Sequence, residues 1–142
     1  MKTIILIFLV TTTTSIYSQT KEYAGIYKRH FDINEEGSIE YQLELSPDGT
    51  FTFHNYRKIS AKNPEENQYG KGTLKIEKNK VLYFYTNKEN DLDEKYTLNF
   101  TNTKARYITK SPRDASEKEV KNHLRFYNSE ISWIKGNKLF RN

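Results

Sequence analysis

Polar and apolar positions alternate along most of this chain, with a period of two. The clearest case is YQLELSPDGTFTFHNY, residues 41–56. Tyr41, Leu43 and Leu45 fall on one side, Gln42 and Glu44 on the other. After Ser46-Pro47-Asp48-Gly49 the pattern resumes, with Phe51 and Phe53 opposite Thr50, Thr52 and His54. Such alternation marks half-buried strands, because successive side chains of an extended backbone point to opposite faces. The four residues between form a turn. Proline presets φ at the second position, aspartate bonds its own backbone, and glycine accepts a positive φ. The spacing predicts a hairpin of two strands, 38–46 and 50–58.

The same period predicts strands over 24–31, 69–77, 81–86, 95–101, 105–110, 130–134 and 138–141, with 124–127 as a further candidate. Gly70 and Gly72 suit a tightly curled sheet, since glycines inside strands mark bends or close backbone approach. VLYFYT, residues 81–86, is apolar or aromatic on both faces and reads as a central strand. The period breaks in SPRDASEKEVKNH, residues 111–123. Ser111 is placed to cap, Pro112 suits the first helical position, and Asp114 follows three residues after the cap. Glu117 and Lys121 are spaced for an i,i+4 pair, so a helix of about three turns is expected. Eight to nine short strands with one short helix near the C-terminus predict a mainly β fold. An antiparallel up-and-down β-barrel is favoured, because a meander that closes removes its own edges.

The first residues, MKTIILIFLVTTTTSIYSQ, follow a different logic. Lys2 gives a positive start, 4–10 an apolar core, and 11–18 a small, polar approach to a cleavage site. That is the layout of a secretory signal peptide. The apolar run falls well short of the roughly 20 residues of a spanning helix. Residues 1–19 are therefore expected to be removed on export, leaving residues 20–142 as one secreted or periplasmic domain with no transmembrane segment. With no cysteine in the chain, disulfides and thiolate metal sites are excluded, and the core alone must hold the fold.

The net charge of +5 comes from lysines and glutamates interleaved along the chain, as in KIEKNK and SEKEVK. This is the pattern of solvated turns and strand edges, so no nucleic-acid partner is expected. His30, His54 and His123 have no metal-ligand spacing. The chain contains no nucleophile elbow, phosphate loop or His-Glu-x-x-His stretch. Its paired carboxylates, Glu35-Glu36, Glu65-Glu66 and those of 91–94, fall in polar turns. No enzymatic activity, metal or cofactor is expected.

Gly25-Ile26-Tyr27 resembles a variant of the Gly-x-Trp signature that opens the lipocalin-like (calycin-type) barrels. The stretches LELSPDGTFTF and GKGTLKIEKNKVLYFYT are similar to the core of small exported lipocalin-like domains, with Leu74 where tryptophan is common. The resemblance covers residues 24–86. It implies that Tyr27 packs at the closed end of a barrel beneath a late arginine, Arg141 or Arg125.

Eleven tyrosines and eight phenylalanines raise the question of what such a barrel contains. Tyrosine combines a flat apolar face with an orienting hydroxyl, as ligand pockets require. Strand parity turns Tyr41, Leu43, Phe51, Phe53, Leu74, Ile76, Tyr96, Leu98 and Phe100 inward, with Asn55 beside Phe53. Arg29 shares a face with Tyr27 and Phe31, and a charge in a lumen needs a counter-charge. The ligand-binding candidates are thus Arg29, Tyr41, Phe53, Asn55, Tyr96 and Phe100, for a small apolar or amphipathic molecule. The other reading is a barrel packed with its own side chains, acting as a structural or protein-interaction module in the cell envelope.

Overall fold

The computed structural model describes residues 19–142; apart from Gln19, the expected leader lies outside them. Residues 19–23 are helical. Nine strands follow: β1 (Gly25–Asn34), β2 (Gly37–Leu45), β3 (Thr50–Lys58), β4 (Glu66–Glu77), β5 (Val81–Tyr85), β6 (Tyr96–Leu98), β7 (Thr103–Ile108), β8 (His123–Asn128) and β9 (Lys138–Arg141). The predicted hairpin forms as β2 and β3. Its inward positions meet directly, Leu43 opposite Phe53 and Leu45 opposite Phe51. Gly49 takes φ 85° in the turn, and the Asp48 carboxylate accepts from the Thr50 N–H (2.9 Å) and hydroxyl (2.7 Å).

Eight strands close into an antiparallel barrel in the order β1, β2, β3, β4, β5, β7, β8, β9, with β9 returning to β1. The short β6 stands apart, running parallel beside Tyr69 and Gly70 of β4. It fills the stretch of β4 that β5, paired only with residues 73–77, does not reach. Two glycines permit the tight bend of β4. A Cβ on Gly72 would lie 2.0 Å from the Tyr85 carbonyl oxygen, and one on Gly70 would lie 2.6 Å from the Phe100 ring.

The inward side chains fill the barrel. Tyr27, Leu43, Phe51, Phe53, Leu82, Phe100, Leu124 and Phe126 are fully buried, and rings stack against rings along the axis. One end is sealed by the helical residues 19–23. Tyr23 packs edge-on to Tyr107 at 5.1 Å, and the Thr20 hydroxyl donates to the Pro47 carbonyl. Arg141 pairs in register with Tyr27 and lies over its ring at 5.9 Å. It also donates to the Tyr107 hydroxyl and to the Glu22 and Ala24 carbonyls. Of the two arginines that the resemblance offered, Arg141 is therefore the one beside Tyr27. Arg125 is exposed on the outer wall.

Three local expectations are corrected. Residues 111–122 contain turns and bends but no helix, because their capping groups bond locally. The Asp114 N–H donates to the Ser111 carbonyl (3.0 Å), and the Ser116 N–H to the Asp114 carboxylate (2.9 Å). Residues 111–119 are all exposed, so no apolar stripe exists to bury a helix. Residues 130–134 form a turn rather than a strand, held by the Ile134 N–H to the Ile131 carbonyl. The strand expected over 95–101 shrinks to β6. No helix of the described residues is long and apolar enough to cross a membrane.

Candidate functional site

The structure divides the predicted site residues among four places. Phe53 and Phe100 belong to the filled lumen, at 1% and 0% exposure. Their ring centroids are 5.0 Å apart, and Phe51 and Phe84 pack around Phe100 at 5.2 and 6.2 Å. These are contact separations for aromatic pairs, so both side chains are core.

Tyr41 and Asn55 lie opposite each other on β2 and β3, towards the end of the barrel away from residues 19–23. Here the turn between β8 and β9 folds inward. Trp133 stacks on Tyr41 at 5.4 Å with planes 18° apart and reaches Phe53 at 6.1 Å. Phe31 meets the other side of Tyr41 edge-on at 6.0 Å. Asn137 holds the turn by donating to the Trp133 carbonyl. Burial pushes the Tyr41 hydroxyl above its ordinary pKa, against the opposing influence of Arg57 and a hydrogen bond with Asn137. Asn55 is 6% exposed. Its amide donates to Gln68 at 2.9 Å, but its Oδ1 has no hydrogen-bond partner among the described residues. A buried acceptor left unpaired costs about 1–3 kcal/mol.

Tyr96 is not in the lumen, which corrects the parity assignment. The Asp93 carboxylate accepts the N–H groups of both Lys95 and Tyr96 at 2.8 Å, and this turn delivers Tyr96 to the outer wall. There it meets Tyr69 at 6.0 Å. Tyr69 in turn stacks on His54 at 4.6 Å with planes 5° apart. Lys71 lies over Tyr96 at 4.4 Å, and Lys95 over Tyr69 at 4.8 Å. His54 Nε2 bonds Asn67 Oδ1 at 2.7 Å, and Lys71 pairs with Asp93 at 3.5 Å. Backbone bonds from Tyr96 and then Lys95 hold the Asp93 carboxyl below its ordinary pKa. Together with Gln42, Glu44 and Thr52 these rings line a cleft of about 180 Å³. The result is an aromatic platform edged with cations.

Arg29 is also outside the packed interior. It is half-buried where the short β9 leaves β1, with its guanidinium 4.6 Å from the Phe31 ring and 5.5 Å from Phe140. Two ring faces solvate it in place of a carboxylate. Among the described residues no group of three or more His, Asp or Glu side chains converges as a metal site would.

Trp133 and the His54–Tyr69 stack are missing from the sequence-based candidates. Trp133 lies in 130–134, where alternation predicts a strand, and Tyr69 lies fifteen residues beyond His54, so only the β3–β4 register joins that pair. No protein-family model matches the chain, and neither a curated protein nor a solved structure matches it.

Proposed function

We propose that this chain is an exported, non-enzymatic interaction module of lipocalin-like build, which recognises a protein partner through the outer wall of a packed barrel. The observation that carries this reading is the filled lumen. Phe51, Phe53, Phe84 and Phe100 lie ring against ring at 5.0–6.2 Å. Trp133 stacks over the remaining end. An eight-stranded barrel is about wide enough for its own side chains, and these are large ones. The Tyr27–Arg141 pairing at the sealed end supports the lipocalin-like kinship.

Recognition then falls to the His54–Tyr69–Tyr96 platform. Protein interfaces concentrate binding energy in aromatic anchors fixed before the partner arrives. The cleft of about 180 Å³ is smaller than the roughly 300–1,000 Å³ of small-molecule sites. It suits one or two side chains of a protein. Placing a photoreactive benzoylphenylalanine at Thr52, beside the platform, tests this in extract of the native source. The expected result is a discrete protein adduct that H54A/Y96A abolishes. Equal labelling from Ile33, on β1 and away from the platform, would overturn it.

One observation favours a second reading. The unpaired Asn55 Oδ1 lies near the Trp133 end and would accept a hydrogen bond from a small ligand. Such a ligand would have to displace or tilt Trp133, which distinguishes the two readings.

A further inference from the structure

Arg106 of β7, Arg125 of β8 and Lys138 of β9 are direct cross-strand partners in one row. All three are exposed, while their sequence neighbours Ala105, Tyr107, Leu124, Phe126 and Leu139 are buried. The three cations therefore point out from the wall. Adjacent strands lie about 4.8 Å apart, so the row is about 10 Å long. Like charges placed directly opposite one another destabilise a sheet. Among the described residues none of the three has an ion-pair partner, in contrast to Lys58, Lys71 and Lys75. Lys104 extends the field along β7.

This row stands on the far side of the barrel from the His54 platform, since β8 is four strands from β3 in either direction around the ring. It is independent of the function proposed above. We propose that the row binds an anionic polysaccharide, a single extended chain of sugar rings bearing carboxylate or sulfate groups. Guanidinium groups hold such oxyanions through paired, charge-assisted hydrogen bonds. The interval between cations is comparable to the length of one sugar ring, and a thin chain can cross three strands of a convex wall.

Other polyanions fit less well. Single-stranded nucleic acid binds by stacking bases on free aromatic faces. Here Lys104 already lies over Tyr83 at 4.9 Å, and Arg106 lies 5.9 Å from Tyr127. A membrane surface calls for apolar side chains that insert beside the cations. The exposed isoleucines Ile26, Ile33 and Ile59 lie on or next to other strands.

Calorimetric titration with heparin, polygalacturonate, neutral dextran, oligo(dT) and phosphatidylglycerol vesicles tests the proposal at physiological ionic strength. The expected result is binding to heparin or polygalacturonate and none to dextran. R106Q/R125Q/K138Q should weaken it by at least ~10-fold, the scale of lost charge-assisted contacts. K21Q/K62Q/K88Q, which removes the same charge elsewhere, should leave it within about 2-fold if the row rather than net charge is read. R125Q alone, which leaves two cations of the row, should give a smaller loss and serves if the triple variant does not fold. No glycan binding, equal loss in the two triple variants, an unchanged R125Q, or tighter binding to oligo(dT) or to vesicles would each overturn the proposal.

Discussion

The indole of Trp133 lies flat on the ring of Tyr41, with centroids 5.4 Å apart. This contact joins the turn between β8 and β9 to the middle of β2, closing the barrel at the end opposite Arg141. With Tyr23, Tyr107 and Arg141 sealing the other end, aromatic residues plug both openings. The space between is taken up by phenylalanines. The tyrosine and phenylalanine surplus, which in sequence leaves pocket lining and packed core both open, supplies much of the buried core, with Tyr83, Tyr85 and Tyr127 left exposed outside it.

Phe53 is the side chain most central to that filling, touching Tyr41, Phe100 and Trp133. Phe53→Ala should cost about 3–5 kcal/mol, as for other buried rings. Urea denaturation would measure it. A loss below ~1 kcal/mol would mean that the ring is not packed as described.

Gly72→Ala should be worse than its size suggests. The added methyl would meet the Tyr85 carbonyl at 2.0 Å, where β4 passes from β3 to β5, and the backbone cannot yield without breaking pairing. A loss of ~3 kcal/mol or more is expected, at the top of the overpacking range. Gly136→Ala meets nothing within 4 Å but holds φ 90°, so it should lose only ~1–2 kcal/mol. Comparing the two thermal midpoints separates steric from conformational cost.

Stability should fall at alkaline pH. Burial pushes the Tyr27 hydroxyl well above its ordinary value of 10.0, and it donates to the Tyr23 carbonyl at 2.7 Å. The folded state thus keeps a proton that the unfolded state gives up. The stabilisation is complete below pH 10 and is lost as pH rises beyond it. Tyr23 and Tyr41 shift in the same direction through burial. Tyr27→Phe should therefore reduce the alkaline decline without abolishing it, and should cost about 1 kcal/mol at neutral pH for the lost hydrogen bond. Denaturant midpoints between neutral pH and pH 11 would show both effects.

The acid limb has the opposite sign. The Thr50 hydroxyl and then its N–H hold the Asp48 carboxyl below its ordinary 3.8. Its contribution is present above that value and is lost as pH falls below it. Asp48→Asn should flatten the acid limb of the same profile.

The barrel was legible where burial alone decides parity. Leu43, Leu45, Phe51 and Phe53 alternate because one face of their hairpin meets the core, and the turn chemistry of 46–49 fixes their register. Legibility failed where polar side chains bond to nearby backbone. Ser111 and Asp114 serve turns as readily as helix caps, and nothing apolar in 111–119 tips the balance. Asp93 reverses Tyr96 by gathering two N–H groups, although Leu98 and Phe100 after it keep their expected side. Strand parity brings Tyr41, Phe53 and Asn55 to one buried side of the hairpin. Trp133, which completes that cluster, comes from a distant turn that alternation cannot position. The Arg106–Arg125–Lys138 row was hidden for the same reason, since strand pairing assembles cations that are scattered in the sequence.

The packed interior is tested most directly by the fluorescence of Trp133, the only tryptophan in the chain. The purified protein is titrated with palmitate and with anilinonaphthalene sulfonate while indole emission is followed. A filled and plugged barrel predicts unchanged emission and no saturable uptake of either probe. One-to-one quenching or energy transfer from Trp133 would contradict it, because a molecule would then occupy the place assigned to the aromatic core.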